Sequence, residues 1–126
     1  MDRTDMCRER YNTLLQLLSE LTDVPASAIA SGSRKHIYVV PRHFIIHTLV
    51  MEGYKHMEIG EAMHINQSGV CYARARAEDI AQGYGSYQEE VLWHTYQERL
   101  SQLSHRTTTQ TQSTIKTPVK GQDGIS

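Results

Sequence analysis

Asn66, Gln67 and Ser68 are three hydrogen-bonding side chains in a row, with Tyr72 and Arg74 within the next two helical turns. Carboxamides, hydroxyls and guanidinium groups share one chemistry, which is directional bonding to base edges and to phosphate oxygens. An amide such as Gln67 can pair bidentately with adenine in a major groove. The Ser68 hydroxyl can reach a base or a phosphate. Asn66 has two uses that compete, as a reader or as the N-cap of the helix that follows. Of the two, the cap is the better fit. Gly69 costs about 1 kcal/mol relative to alanine inside a helix, and its bare backbone would allow close approach to a nucleic-acid strand. Arg74 and Arg76 suit phosphate contacts, which position a protein without specifying sequence.

These residues need a scaffold. In residues 58–73, EIGEAMHINQSGVCYA, Ile59 and Met63 lie four apart on one helical face, and Val70 and Ala73 lie three apart on a second. Ile65 falls between them in a turn. The spacing predicts a helix-turn-helix over about 57–81, with helices at Met57–His64 and Gln67–Ala81. Gly60 and Ala62 are small enough to admit a neighbouring helix. Gln67, Ser68, Cys71, Tyr72 and Ala75 should face outward.

Upstream, SRKHIYVVPR at 33–42 collects Arg34, Lys35 and Arg42 around His36. Pro41 suits the first turn of a helix that runs to Glu52 and stops at Gly53. Phe44, Ile45, Thr48 and Leu49 are its expected inner face. An apolar stripe of Tyr11, Leu14, Leu15, Leu18 and Leu21 marks a first helix over Asp5–Leu21, and Pro25 opens a short one by Ala30. Ser86 and Glu89 form a capping box for a last helix reaching about Leu103, with Leu92, Tyr96, Leu100 and Leu103 along one face and Trp93 beside it. The composition beyond it cannot bury enough surface to order itself.

A basic loop, a Pro-Arg helix start, a helix and then the helix-turn-helix: this order resembles the C-terminal DNA-binding domain of DnaA-type bacterial replication initiators. The matching residues are Ser33-Arg34-Lys35, Pro41-Arg42-His43 and Glu58 to Met63. The resemblance covers roughly residues 11–80. It implies that Arg42, with His43 beside it, approaches a minor groove next to the recognition site, and that the helix from Gln67 lies in the major groove. That family's recognition helix opens Gly-Arg-Asp-His-Thr-Thr-Val. Here the stretch is His64, Ile65, Asn66, Gln67, Ser68, Gly69, Val70, so the frame holds while the reading residues differ. No Gly-x-x-x-x-Gly-Lys-Ser/Thr loop occurs, and the ATPase module of the initiators has no counterpart.

The chain has 126 residues and a formal net charge of −1, enough for one small helical core and too little positive charge for strong non-specific DNA binding. The distribution is uneven. Arg34, Lys35, Arg42, Lys55, Arg74 and Arg76 outnumber Glu52, Glu58 and Glu61 across the motif segment, whereas the stretch that follows is acidic. Cys7 and Cys71 form no Cys-x-x-Cys, which suits a reducing cytosol. The charged N-terminus lacks the apolar core of a signal peptide, and no run approaches a membrane span. His43 and His47 lie four apart without a third ligand, so no metal or other cofactor is expected. No nucleophile–base set or paired carboxylates point to an enzyme.

The expectation is therefore an all-α bundle containing a helix-turn-helix of Trp-repressor-like type. Residues 1–82 would form the domain, 83–104 an added C-terminal helix and 105–126 a disordered tail. The expected partner is double-stranded DNA, in transcriptional or replication control on, for example, a mobile element. The setting would be cytoplasmic and nucleoid-associated. The last helix would pack on the first or support a homodimer or protein partner. The rival class is a helical protein-interaction module that keeps the fold without specific DNA binding.

Overall fold

The computed structural model describes the backbone of residues 2–112 and the side chains of residues 2–103. Among the described residues there are six helices and no strand: α1 (Arg3–Thr22), α2 (Ala26–Ala30), α3 (His36–Met51), α4 (His56–Met63), α5 (Gln67–Ala81) and α6 (Tyr87–Gln112). The protein is an all-α bundle. Its chain divides into two units, residues 1–94 and 95–126. The expected linker at Gly83–Gly85 lies inside the first unit, which also holds the first two turns of α6.

A helix that is apolar all round must be surrounded. From Val40 to Leu49, α3 exposes little except at Arg42 and His43, and it buries Val40, Pro41, Phe44, Ile45, Ile46, His47, Thr48 and Leu49. α1, α2, α4 and α5 all pack on it. Phe44 is fully buried and meets Trp93 edge-on at 5.0 Å. On α1 the buried residues are Cys7, Leu14, Leu15, Leu17 and Leu18, whereas Tyr11 and Leu21 of the expected stripe are only half-buried.

α3 begins five residues before the expected start, so Pro41 is an interior residue of this helix. Proline at that depth removes one backbone bond and normally disrupts a helix. Here both Val40 and Pro41 are buried, and tertiary packing overrides the local signal. The Arg42 Nε donates to the Tyr38 carbonyl at 3.3 Å, which supplies a side-chain bond within the affected turn.

α1 is clipped to the start of α4. The Arg3 guanidinium donates to the Gly53 carbonyl at 2.8 Å, pairs with Glu58 at 3.1 Å and lies over the Tyr54 ring. Arg10 pairs with Glu52 at 2.7 Å. At the other end, Ser86 and Glu89 exchange capping bonds of 2.8 and 3.1 Å at the start of α6. α6 is described to Gln112, past the expected end at Leu103. The expected tail thus overlaps helix up to Gln112, and residues 113–126 lie outside the described residues.

Gly60 has a specific reason to be glycine. A Cβ there would lie 2.6 Å from the Ile65 carbonyl oxygen. The close approach is therefore to the turn after α4, not to a neighbouring helix as expected. Gly60→Ala should lower the unfolding free energy by about 1–3 kcal/mol through overpacking, against about 1 kcal/mol gained in helix propensity. Urea denaturation measures the balance, and a midpoint raised by the full propensity gain would contradict the close approach.

Candidate functional site

The α4–α5 connection is built from backbone constraints. His64 ends α4 with φ of 61°, in the left-handed region. The Ile65 N–H donates to the Gly60 carbonyl at 2.9 Å and closes the turn. Asn66 then caps α5, its Oδ1 accepting from the Gly69 N–H at 2.7 Å. A Cβ at Gly69 would sit 3.3 Å from the same Oδ1, a tight contact that the glycine spares the cap. The Asn66 oxygen is committed to the cap.

α5 spans the expected residues, Gln67–Ala81. Val70, Ala73, Ala77 and Ile80 are buried, and Gln67, Ser68, Cys71, Tyr72, Arg74, Ala75 and Arg76 are exposed. Tyr72 is 62% exposed, a large apolar ring held in solvent.

The basic loop before α3 is also ordered by its own polar groups. The Ser33 N–H donates to the Ser31 hydroxyl at 3.3 Å, and the Lys35 N–H to the Ser33 hydroxyl at 3.2 Å. The Arg42 guanidinium donates to the carbonyls of Ser31 and Ser33. Together with its Tyr38 bond, this commits Arg42 to the chain's own carbonyls and half-buries it. The resemblance implied a groove-entering arginine here; the geometry is that of a loop fastener. Arg34 and Lys35, on the loop so held, are exposed.

His43 and His47 do not converge on a common point for a metal. His47 is buried, with Nε2 2.9 Å from the Glu78 Oε1 on α5 and its ring edge-on to Trp93. That histidine holds the Glu78 carboxyl below the usual range. His43 is half-buried and edge-on to Tyr72 at 5.8 Å. Burial, with Arg42, Arg76 and His36 nearby, pushes the His43 pKa down to about 4. Among the described residues no group of three His, Cys, Asp or Glu side chains could hold a metal.

Two arginines of α1 pair with two of the three acids of the motif segment. Glu52 pairs with Arg10. Glu58 accepts from the Lys55 N–H and from Arg3, and both lower its pKa. Sequence reading missed these pairs and also the approach of Cys71 Sγ to His56 Nδ1 at 3.4 Å. Both cysteines are free thiols, and burial raises the Cys7 thiol to about 11.

Comparison with protein-family models, with curated proteins and with solved structures finds no match to this chain.

Two outcomes follow from this geometry. Asn66→Ala should cost about 1 kcal/mol of stability through loss of the cap, measured by thermal or urea unfolding. Stability should also fall with pH. The folded pKa of His43 lies below its ordinary 6.5, so the unfolded chain binds the extra proton between 6.5 and about 4, and stability is lost on descending that window. Glu58 and Glu78 act in the same direction only below the ordinary carboxylate value of 4.5. His43→Gln should flatten the loss between pH 6.5 and 4.5, as read by urea unfolding at a series of pH values.

Proposed function

We propose that this protein binds double-stranded DNA, with α4–α5 as a helix-turn-helix and the N-terminal half of α5 in the major groove. One observation carries the reading. α5 buries Val70, Ala73, Ala77 and Ile80 and turns Gln67, Ser68, Cys71 and Tyr72 to solvent, at the end by which such helices dock. Gln67 is the base reader, and Ser68 and Arg74 reach phosphate or base edges. The order of elements, basic loop, helix and helix-turn-helix, resembles that of the initiator domain and supports this reading. Arg42 serves it indirectly by fastening the loop that presents Arg34 and Lys35 to the backbone beside the groove. A role in transcriptional or replication control fits such a module.

A second reading is a protein-interaction module. It is favoured by a largely apolar groove of about 440 Å³ lined by Leu21, Val24, Ile37, Val40, Pro41 and Leu92, of which Ile37 is 58% exposed.

Selection from random duplexes by the purified protein separates the two readings. DNA binding should weaken with salt at a log–log slope of roughly −0.9 per phosphate contact. Gln67→Ala should lose about 1–3 kcal/mol on the selected site and little on random duplex. Arg42→Lys, which keeps the charge but not the fork, should weaken both, because the loop loses its fastener. Absence of binding at low salt would sink the DNA reading.

A further inference from the structure

A cleft of about 120 Å³ separates the N-terminal turns of α3 from the outward face of α5. His36 and His43 of α3, Tyr72 and Arg76 of α5 and Glu89 of α6 line it, together with the apolar Val40 and Ile80. The volume is that of a few waters, at about 30 Å³ each. It is far below the several hundred Å³ of a cofactor or drug-sized site. A small group fits, and the surrounding charge says which kind. Arg42 and His36 on α3 and Arg76 on α5 all act on His43 in the sense of positive charge, and Glu89 alone opposes them. The Glu89 carboxylate is already engaged, by the Ser86 N–H at 2.8 Å and by His36 Nε2 at 2.9 Å. Asp79, three residues on along the same face of α5, lies 3.7 Å from Arg76, a loose and exposed pair that leaves the guanidinium able to take a second anion.

We propose that this cleft seats one phosphodiester group of bound DNA, held by the Arg76 guanidinium and the Tyr72 hydroxyl, with His36 kept on Glu89 and screening that carboxylate from it. The inference rests on the DNA reading and extends it. Tyr72 belongs both to the outward face of α5 and to the cleft wall, and His36 directly follows Lys35. A strand running from the loop to α5 therefore crosses the cleft, and a phosphate there ties the two contact elements together.

The seat has a chemical signature. With the cleft empty His43 is neutral, because its surroundings are apolar and cationic. An adjacent phosphate reverses the second influence and favours the imidazolium. DNA binding then takes up a proton at His43 and tightens as pH falls, by at most about tenfold per pH unit for one proton.

The test measures duplex affinity of the full chain at fixed ionic strength, from about pH 8 to about pH 5.5. The parent should tighten. His43→Gln should match it at the alkaline end and lose most of the slope, and Arg76→Gln should lower the salt slope by about 0.9. His94→Gln, exposed on α6 and outside the helix-turn-helix, is the control for general histidine protonation and should keep the parent slope. In parallel, inorganic phosphate is titrated while the His43 ring protons are followed by NMR, with expected movement toward the protonated position and none at His94. A His43→Gln variant with the parent's pH slope, or a His43 ring indifferent to phosphate, overturns the proposal. If no duplex binds at low salt, the DNA reading fails separately. A phosphate-induced shift would then support an oxyanion site and reject DNA as its source.

Discussion

The burial of α3 between Val40 and Leu49 is the constraint from which the other placements follow. That stretch offers little surface of its own, so each neighbour must contribute a face, and α1, α2, α4 and α5 do so. Its interior polar groups must find partners within the bundle. The Thr48 hydroxyl donates to the Phe44 carbonyl at 2.9 Å, inside the same helix. His47 reaches across to Glu78 and so ties α3 to α5 by a polar contact as well as an apolar one. Trp93 lies edge-on to both Phe44 and His47. The first turns of α6 therefore complete this core, not merely follow it.

Against that fixed centre, the direction of α5 is decided by a few backbone atoms. Gly60 receives the Ile65 carbonyl, His64 takes the left-handed conformation that reverses the chain, and the Asn66 oxygen occupies the room left at Gly69. None of these depends on a long side chain finding a partner, so the outward face of α5 is rigidly aimed. Rigid aim suits recognition, because a reader held by its scaffold loses little freedom on binding. The basic loop is ordered on the same principle, with hydroxyls bonding nearby N–H groups and Arg42 gathering two carbonyls.

What could be read in the sequence was what local chemistry determines. α5 was legible at both ends, because Asn66 is a capping type and the apolar spacing runs unbroken to Ile80. The Ser86–Glu89 box marked the start of α6 equally well. The start of α3 was misplaced, because a proline is a strong local signal and only the packing of Val40 and Pro41 outweighs it. The position of Arg42 was legible but its partners were not, since the Ser31 and Ser33 carbonyls are brought to it by a loop whose path no periodicity records. The same holds for His47 with Glu78 and for Cys71 with His56, pairs 31 and 15 residues apart. A contact between helices leaves no trace in either helix's own pattern when each side chain is plausible on a surface.

The clip between α1 and α4 has a consequence for how the chain assembles. Arg3 and Glu58 are 55 residues apart, whereas α4 and α5 meet across the short His64–Asn66 connection. Closing the longer loop carries the larger entropy cost, and such non-local pairings are the slow ones. During synthesis α1 emerges before the helices it packs on, and its partner surface is incomplete until α3 and α4 have followed. The ribosome thus releases an apolar helix before its shelter exists. Its polar face, with Arg3, Arg8 and Arg10, is the side that needs no such shelter, so the exposure to association is confined to one stripe of the helix.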